Sequence, residues 1–415
     1  TEETKMSATV PARTAIDHPA SSFQNAVSGT GTSDVSNSEV QIMSKINVAR
    51  LVVLGKPLEV GIADKPVPGP KDVLVKVAAC GLVPNSFNVV KGYAPFTLPE
   101  LPAVFGLDVA GTIEAVGEHV LGLEVGQSVY VDPWMTCDTC HQCRRGRRDL
   151  CPYGYLRGYM TTTERGGQLI NQYPIGGLSE YVLAPDARIA RLPEEIDLLT
   201  AARFGYIGTS FAALLKGGLG PGKTLLINGV TGTLGVAAVA IALGMGATKI
   251  LGIGRNRELL ERVRRMAPGR VETISSEDGV DLVAWAKDRT GSLGVDMMYD
   301  CLGVGGDVHS TDVLLRAVKD GGRAVLVGAG EGAISQAYFD VLMHEVHAVG
   351  SKWFSSAEAD QLIAMVAAGV IDLSFLDHRR FGLAEVNDAV ELVGSRPGGF
   401  LNVVVLPGET SVAAG

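Results

Sequence analysis

The chain contains 415 residues, which is long enough for two or three domains with a large buried core. Hydrophobic residues make up 46% of the chain and charged residues 20%, a composition typical of globular proteins. The net charge of −9 argues against nucleic acid or an anionic membrane as a partner, and no apolar run is long enough to span a bilayer.

Residues 1–45 are rich in Ser, Thr, Ala, Asn and Gly, and this composition predicts a disordered tail. No basic stretch followed by an apolar one opens the chain, so we expect a cytoplasmic protein without a secretory signal. Short strands punctuated by glycine then indicate a β-barrel-like domain that ends near residue 206. The strands predicted within it include 72–79, 109–116, 128–132 and 180–183.

Four of the six cysteines form the pattern Cys137-x2-Cys140-x2-Cys143-x7-Cys151. Four thiolates close a tetrahedral zinc site and stabilise a loop too small to have its own core. An iron–sulfur cluster is the alternative, but the bacterial ferredoxin run has three residues before its last cysteine, rather than seven. The spacing therefore predicts a structural zinc ion without an open position for substrate.

From residue 207 onward strands and helices alternate, which predicts a doubly wound parallel sheet. A last helix and strand are expected to return to the barrel. We therefore divide the ordered chain into a barrel domain at 46–206 and 352–407 and a sheet domain at 207–351, with a short tail at 408–415. The elements predicted from residue 223 are strands at 223–228, 249–254, 295–300, 323–327, 346–350 and 402–406, and helices at 234–247, 258–265, 280–287, 312–318 and 357–368.

The first strand of this sheet leads into the turn Gly229-Val-Thr-Gly232-Thr-Leu-Gly235 and then an apolar helix. Glycines at this spacing let backbone N–H groups approach a pyrophosphate, and the helix N-terminus favours the anion. Dinucleotide binding is the main prediction, and a glycine turn in another kind of α/β sheet is the alternative. The candidate contacts in and around the turn are Thr209, Gly229, Thr231, Gly232, Thr233, Leu234, Gly235, Cys301, Val327 and Gly328.

The second strand ends in Gly254-Arg255-Asn256-Arg257. An NAD-binding sheet would place Asp or Glu there to bind the ribose hydroxyls. Loss of the carboxylate and gain of a guanidinium favour a 2′-phosphate, and hence NADP(H) over NAD(H). For Arg257 a solvated position at a helix start is an equal alternative.

The order of these features resembles the zinc-containing alcohol dehydrogenases of the medium-chain dehydrogenase/reductase superfamily, over residues 48–407. The resemblance implies a GroES-like β-barrel catalytic domain, a Rossmann domain and a homodimer paired through the cofactor domains. The family motif Gly-x-Cys-[His/Arg]-[Ser/Thr]-Asp corresponds here to Gly81-Leu-Val83-Pro-Asn85-Ser86. The motif Gly-His-Glu-x-x-Gly corresponds to Gly106-Leu107-Asp108-Val-Ala-Gly111.

At the family's three catalytic-zinc positions this chain has Val83, Leu107 and Gly205, whose side chains cannot coordinate a metal. The glycine turn is also more similar to the zinc-independent quinone oxidoreductases and enoyl reductases. We therefore expect an NADPH-dependent reductase of an α,β-unsaturated carbonyl or quinone-like small molecule. The alternatives are a carbonyl or alcohol oxidoreductase without catalytic zinc and a non-catalytic NADPH sensor.

The candidate catalytic residues are Asn85, Ser86, Asp108 and Tyr206, because the resemblance places them in the cleft. Asn85 and Ser86 occupy the family's proton-relay positions. The alternative roles are a helix cap for Asn85 and a structural carboxylate for Asp108.

Overall fold

A computed structural model describes residues 44–93 and 96–409 of the chain. The tail predicted at 1–45 lies outside these residues except for its last two positions, and so does most of 408–415. Within the described ranges, no helix combines the length and the apolar character that a membrane crossing requires.

The β-strands occur along the whole described chain and vary from two to eleven residues in length. They are β1 Lys45–Leu51, β2 Glu59–Asp64, β3 Asp72–Leu82, β4 Ala103–Val104, β5 Asp108–Val116, β6 Ser128–Val131, β7 Trp134–Met135, β8 Tyr155–Leu156, β9 Tyr181–Pro185, β10 Ile189–Arg191, β11 Thr224–Asn228, β12 Lys249–Gly254, β13 Val271–Ser275, β14 Val295–Asp300, β15 Val318–Leu326, β16 His347–Gly350, β17 Asp377–Gly382 and β18 Leu401–Leu406.

The α-helices lie mostly in the second half. They are α1 Pro84–Lys91, α2 His141–Arg144, α3 Leu198–Ala201, α4 Phe204–Lys216, α5 Thr233–Gly244, α6 Arg257–Arg265, α7 Leu282–Asp288, α8 Val308–Leu314, α9 Tyr338–His344, α10 Ser356–Ala367 and α11 Val386–Gly394. Short 3-10 turns occur at Arg148–Leu150, Glu164–Gln168, Asp186–Arg188, Leu315–Ala317 and Leu383–Glu385.

The seven-stranded sheet has the order β10-β6-β5-β3-β18-β17, with β9 also paired to β3, and its strands pair antiparallel except β17 and β18, which are parallel. Strand β1 forms a smaller sheet with β2 and β4. The last strand, β18, pairs with β3 through Val404 and Gly81, so the chain returns to its first sheet. Both strands are rich in Val, which packs well on a pleated surface that is covered on both faces.

The second large sheet has six parallel strands in the order β13-β12-β11-β14-β15-β16. Numbered from β11, this is the 3-2-1-4-5-6 order of a doubly wound dinucleotide-binding sheet, and the order reverses between β11 and β14. Helix α5 is apolar on all sides, and Val236 to Ala242 are buried. The predicted fold class is therefore confirmed.

Several element predictions need correction. Strand β13 was not predicted at all, and helix α8 begins four residues before the predicted 312, where Asp307 accepts a hydrogen bond from the His309 N–H. Helix α7 begins at Leu282 rather than at 280, because the Asp281 carboxylate caps it. Helix α4 runs through the boundary predicted between 206 and 207.

Candidate active site and metal centre

A cavity of about 770 Å³ lies at the carboxyl ends of the parallel strands. Its wall includes Gly229 after β11, Arg255 after β12, Cys301 after β14 and Val327 after β15. Ligands of open α/β sheets bind in the crevice beyond the carboxyl ends, near the point where strand order reverses. The fold thus provides a dinucleotide-sized crevice where the glycine turn had predicted one.

The glycine turn is shaped by close backbone contacts. Gly229 has φ +92°, a conformation that side-chain-bearing residues rarely adopt. A Cβ at Gly235 would lie 2.4 Å from the Gly229 carbonyl oxygen, so this glycine lets helix α5 pack against the turn. No side chain caps the start of α5 at Gly232, which leaves the first N–H groups of the helix available to an anion.

Most of the predicted cofactor contacts line this cavity. Gly235 does not, because it lies behind the turn, and neither does Arg257, whose Nη2 lies 2.6 Å from the Asp278 carboxylate. Arg255 is exposed in the cavity, while Asn256 lines it and caps helix α6 by accepting from the Leu259 N–H. The predicted residues that line the cavity are Thr209, Gly229, Thr231, Gly232, Thr233, Leu234, Gly254, Arg255, Asn256, Cys301, Val327 and Gly328.

The other end of the cavity is formed by Leu107, Asn85, Tyr206, Trp134 and Tyr159. The Asn85 amide oxygen accepts a hydrogen bond from Asn88 at 3.3 Å, within the first turns of α1. Tyr206 stands on α4, and burial together with the nearby Asp108 carboxyl raises the pKa of its phenol. The phenol is therefore protonated at neutral pH and able to donate a hydrogen bond into the cavity.

Ser86 does not line the cavity. It is buried, and its hydroxyl accepts a hydrogen bond from the Val83 N–H at 3.2 Å, which closes the start of helix α1. In this structure Ser86 therefore occupies a capping position, and Asn85, the neighbouring residue, faces the cavity instead.

Asp108 also lies outside the cavity wall, behind Leu107. It is fully buried, and the Tyr130 hydroxyl donates to its Oδ1 at 2.9 Å. Burial raises the pKa of Asp108 to about 7, an effect opposed by the Tyr130 hydrogen bond and the Arg203 guanidinium. A Cβ at Gly205 would lie 2.0 Å from Asp108 Oδ1, so the carboxyl occupies the space beside the third zinc-ligand position.

The four clustered cysteines lie between strands β7 and β8, and their sulfurs are all within 4.8 Å of one another. The Sγ of Cys151 lies 3.9 Å from that of Cys140 and 3.6 Å from that of Cys137. Tetrahedral zinc with Zn–S bonds of about 2.3 Å requires sulfurs roughly 3.8 Å apart, so the geometry fits a structural zinc ion. Across residues 44–93 and 96–409, no other His, Cys, Asp or Glu group is arranged to hold a metal.

Sequence reasoning missed several parts of the wall. The loop 302–307 follows β14 and includes three glycines, and the carboxyl-end rule applied to β14 could have identified it. Trp134, Tyr159 and Met160 lie on either side of the segment 137–151 that holds the four cysteines, and Lys352 and Trp353 follow β16. No local pattern marks these residues as neighbours.

Two family models match the chain. The alcohol dehydrogenase GroES-like domain matches residues 69–194 and the zinc-binding dehydrogenase matches residues 233–368.

Similar proteins include an NAD-dependent alcohol dehydrogenase of Sulfurisphaera tokodaii, 28% identical over 82% of this chain and 94% of its own. A sorbitol dehydrogenase of Arabidopsis thaliana is 27% identical over 87% of this chain and 96% of its own. A crystal structure of a zinc-binding dehydrogenase from Sinorhizobium meliloti bound to NADP superposes with a TM-score of 0.75, at 26% identity, covering 88% of this chain and 100% of that one.

Proposed function

The chain belongs to the zinc-type alcohol dehydrogenase-like group of the medium-chain dehydrogenase/reductase superfamily, and we propose that it is an NADPH-dependent reductase without a catalytic zinc. Its substrate is a small molecule with a C=C bond conjugated to a carbonyl, or a quinone. The observation that carries the proposal is the set Val83, Leu107 and Gly205 at the family's zinc positions, since none of these side chains has a metal-binding atom.

The residues present fit a bound NADPH. The glycine turn offers N–H groups for the pyrophosphate, and the end of β12 offers the exposed Arg255 where an NAD enzyme would have a carboxylate. The similar structure from Sinorhizobium meliloti carries NADP, which agrees with this choice. When bound, NADPH supplies a hydride from its nicotinamide ring.

Without a zinc ion, the protein has to stabilise negative charge on the substrate oxygen with its own groups. A conjugated acceptor makes this easier, because the charge spreads into an enolate that hydrogen bonds can hold. The Tyr206 phenol and the Asn85 amide line the end of the cavity away from the glycine turn, here called the reacting end, and can donate such hydrogen bonds. The proton that completes the reduction comes from solvent or from a nearby acid.

Reduction of an aldehyde or ketone is the second candidate, because the similar curated proteins are alcohol and sorbitol dehydrogenases. The two reactions differ in their products. We would measure NADPH consumption with 2-cyclohexenone, a benzoquinone and benzaldehyde, and identify the products. We expect enone and quinone turnover, with cyclohexanone formed from the enone. Turnover of benzaldehyde alone, or formation of the allylic alcohol, would favour carbonyl reduction, and tight NADPH binding without turnover would indicate a sensor.

We also propose that the protein is a homodimer paired through its parallel sheets. Strand β16 is an edge strand that pairs only with β15 among the strands described. Helix α9 lies just before it in the chain and exposes large apolar side chains, with Tyr338 85%, Phe339 64% and Leu342 57% exposed. An apolar surface beside an open sheet edge is an unfavourable arrangement in a monomer and a suitable one in a dimer.

A further inference from the structure

Lys352 lies two residues beyond the carboxyl end of β16 and lines the cavity. Arg255, beyond the end of β12, lines the same cavity. Because the strands lie in the order β12-β11-β14-β15-β16, these two cations mark opposite ends of the crevice. A dinucleotide with its adenosine phosphate at Arg255 would extend across the reversal point, with its nicotinamide toward the Lys352 end.

The ammonium group of Lys352 has a defined position at that end. Its Nζ lies 4.5 Å from the centroid of the Trp134 ring, within the range of a cation–π interaction. Trp134 also lines the cavity, so the cation and its aromatic support face the same space. The pair therefore joins the segment after β16 to the lobe that carries the four cysteines.

The backbone around Lys352 is held by specific contacts. Trp353 has φ +55°, a left-handed conformation that costs a bulky residue about 1–3 kcal/mol. The Trp353 indole N–H donates a hydrogen bond to Asp132 Oδ1 at 3.0 Å, and the same oxygen accepts a hydrogen bond from the Trp134 backbone N–H. The Trp353 ring stacks on the Phe354 ring with 5.1 Å between the ring centroids. Backbone strain that neighbouring contacts maintain is characteristic of functional sites.

The charge of Lys352 is not neutralised by a carboxylate. Within the described residues, no Asp or Glu oxygen is within ion-pair distance of its Nζ. Burial lowers the pKa of Lys352, an effect that Asp149 and Cys151 oppose from farther away. The Asp149 carboxylate is already bound by Arg147 Nη2 at 2.8 Å and Lys216 Nζ at 3.5 Å. The N–H donors of Lys352 are therefore available to a ligand in the cavity.

We propose that Lys352 binds the substrate's carbonyl oxygen and stabilises the negative charge that forms there, the role that zinc has in related enzymes. This inference rests on the proposed reductase function. As hydride adds to the β-carbon, the C=C electron pair shifts to give an enolate whose oxygen contacts the Lys352 ammonium. A proton from water then adds to the α-carbon, the C=O bond re-forms, and the cofactor leaves oxidised.

The first test compares Lys352→Met with Lys352→Arg, with Lys71→Met at an exposed site as the control. For enone reduction we expect kcat/KM to fall about 100-fold in Lys352→Met. Lys352→Arg should lose less because it keeps the charge, and the Kd for NADPH should be unchanged in all variants. Equal kcat/KM in Lys352→Met and wild type, or a loss explained by weaker NADPH binding, would overturn the proposal.

A second test does not depend on turnover. 4-Nitrophenol mimics an enolate oxygen, and its ionised form has its own absorption band. In the wild-type protein with NADP+, we expect a larger ionised fraction than in free solution at the same pH, and no such increase in Lys352→Met. Equal ionised fractions in both proteins would refute the role of Lys352. Absence of turnover with every enone and quinone, in contrast, would refute the reductase function.

Discussion

Substitution of Asp108 by Asn removes a buried carboxyl whose pKa the fold raises to about 7, from a value of about 3.9 in an unfolded chain. Between these two values the folded protein binds the proton more tightly than the unfolded chain does. The stabilisation is therefore present at low pH and is lost as the pH rises through 7. Between pH 5.5 and pH 8 the loss amounts to about 2 kcal/mol.

In the Asp108→Asn variant, the amide oxygen of the new side chain can still accept the Tyr130 hydrogen bond, and the amide carries no charge at either pH. Relative to wild type, the unfolding free energy of Asp108→Asn should therefore increase by about 2 kcal/mol from pH 5.5 to pH 8. For a folded region of this size, the Tm of Asp108→Asn relative to that of the wild type should therefore be about 3 °C higher at pH 8 than at pH 5.5.

The assay is thermal unfolding of both proteins at the two pH values, at one scan rate. Titrations common to both proteins cancel in the difference between them. Asp360→Asn, at an exposed position of α10, is the control and should show a constant Tm difference. A Tm difference for Asp108→Asn that is the same at pH 5.5 and pH 8 would refute the argument that burial raises the pKa of Asp108.

Three further predictions concern the metal, the cofactor and the assembly. Metal analysis should find one zinc per chain, and the Cys143→Ser variant should lose this zinc and unfold at a lower temperature. Two zincs per chain would refute the proposal that the catalytic zinc site is vacant, and the absence of zinc would refute the structural zinc site. The Arg255→Gln variant should bind NADPH roughly 10- to 100-fold more weakly and NADH with unchanged affinity. The Arg257→Gln variant should bind both cofactors as the wild type does, because Arg257 is paired with Asp278. An equal loss of affinity for NADPH and NADH in Arg255→Gln would contradict recognition of the 2′-phosphate by Arg255. The Leu342→Asp variant should be monomeric in light scattering, while the control Val60→Asp, at an exposed position of β2, should remain dimeric. A dimer that persists in Leu342→Asp would exclude α9 as the interface.

The parallel sheet could be predicted because its strands are apolar runs bounded by glycine, which is a local signal. Strand β14 was predicted with the bounds that the structure has, Val295–Asp300. Strand β13, Val271–Ser275, could not be predicted in the same way because only its first and last residues are buried. Its place is decided by pairing with β12, a contact that its own sequence does not encode.

The cofactor end of the site was more predictable than the reacting end for the same reason. Turn residues such as Gly229 and Thr231 follow one another in the chain, so a motif identifies them together. Motif positions do not determine side-chain direction, however: Leu107 faces the cavity, and Asp108, the next residue, faces Tyr130. Lys352 and Trp134 are far apart in sequence, and only the fold brings them together.

The contact between Gly205 and Asp108 makes it difficult to introduce a zinc ligand at position 205 by protein engineering. Any side chain introduced at 205 would place its Cβ 2.0 Å from Asp108 Oδ1. Truncation of Asp108 to Ala, which would make room for that Cβ, would leave the Tyr130 hydroxyl without its acceptor and the buried Arg203 without a nearby countercharge. A zinc site built on the family's three positions would therefore require Asp108 to change together with Gly205, in addition to new ligands at Val83 and Leu107. The packing of Asp108 against Gly205 thus disfavours a metal ligand at position 205.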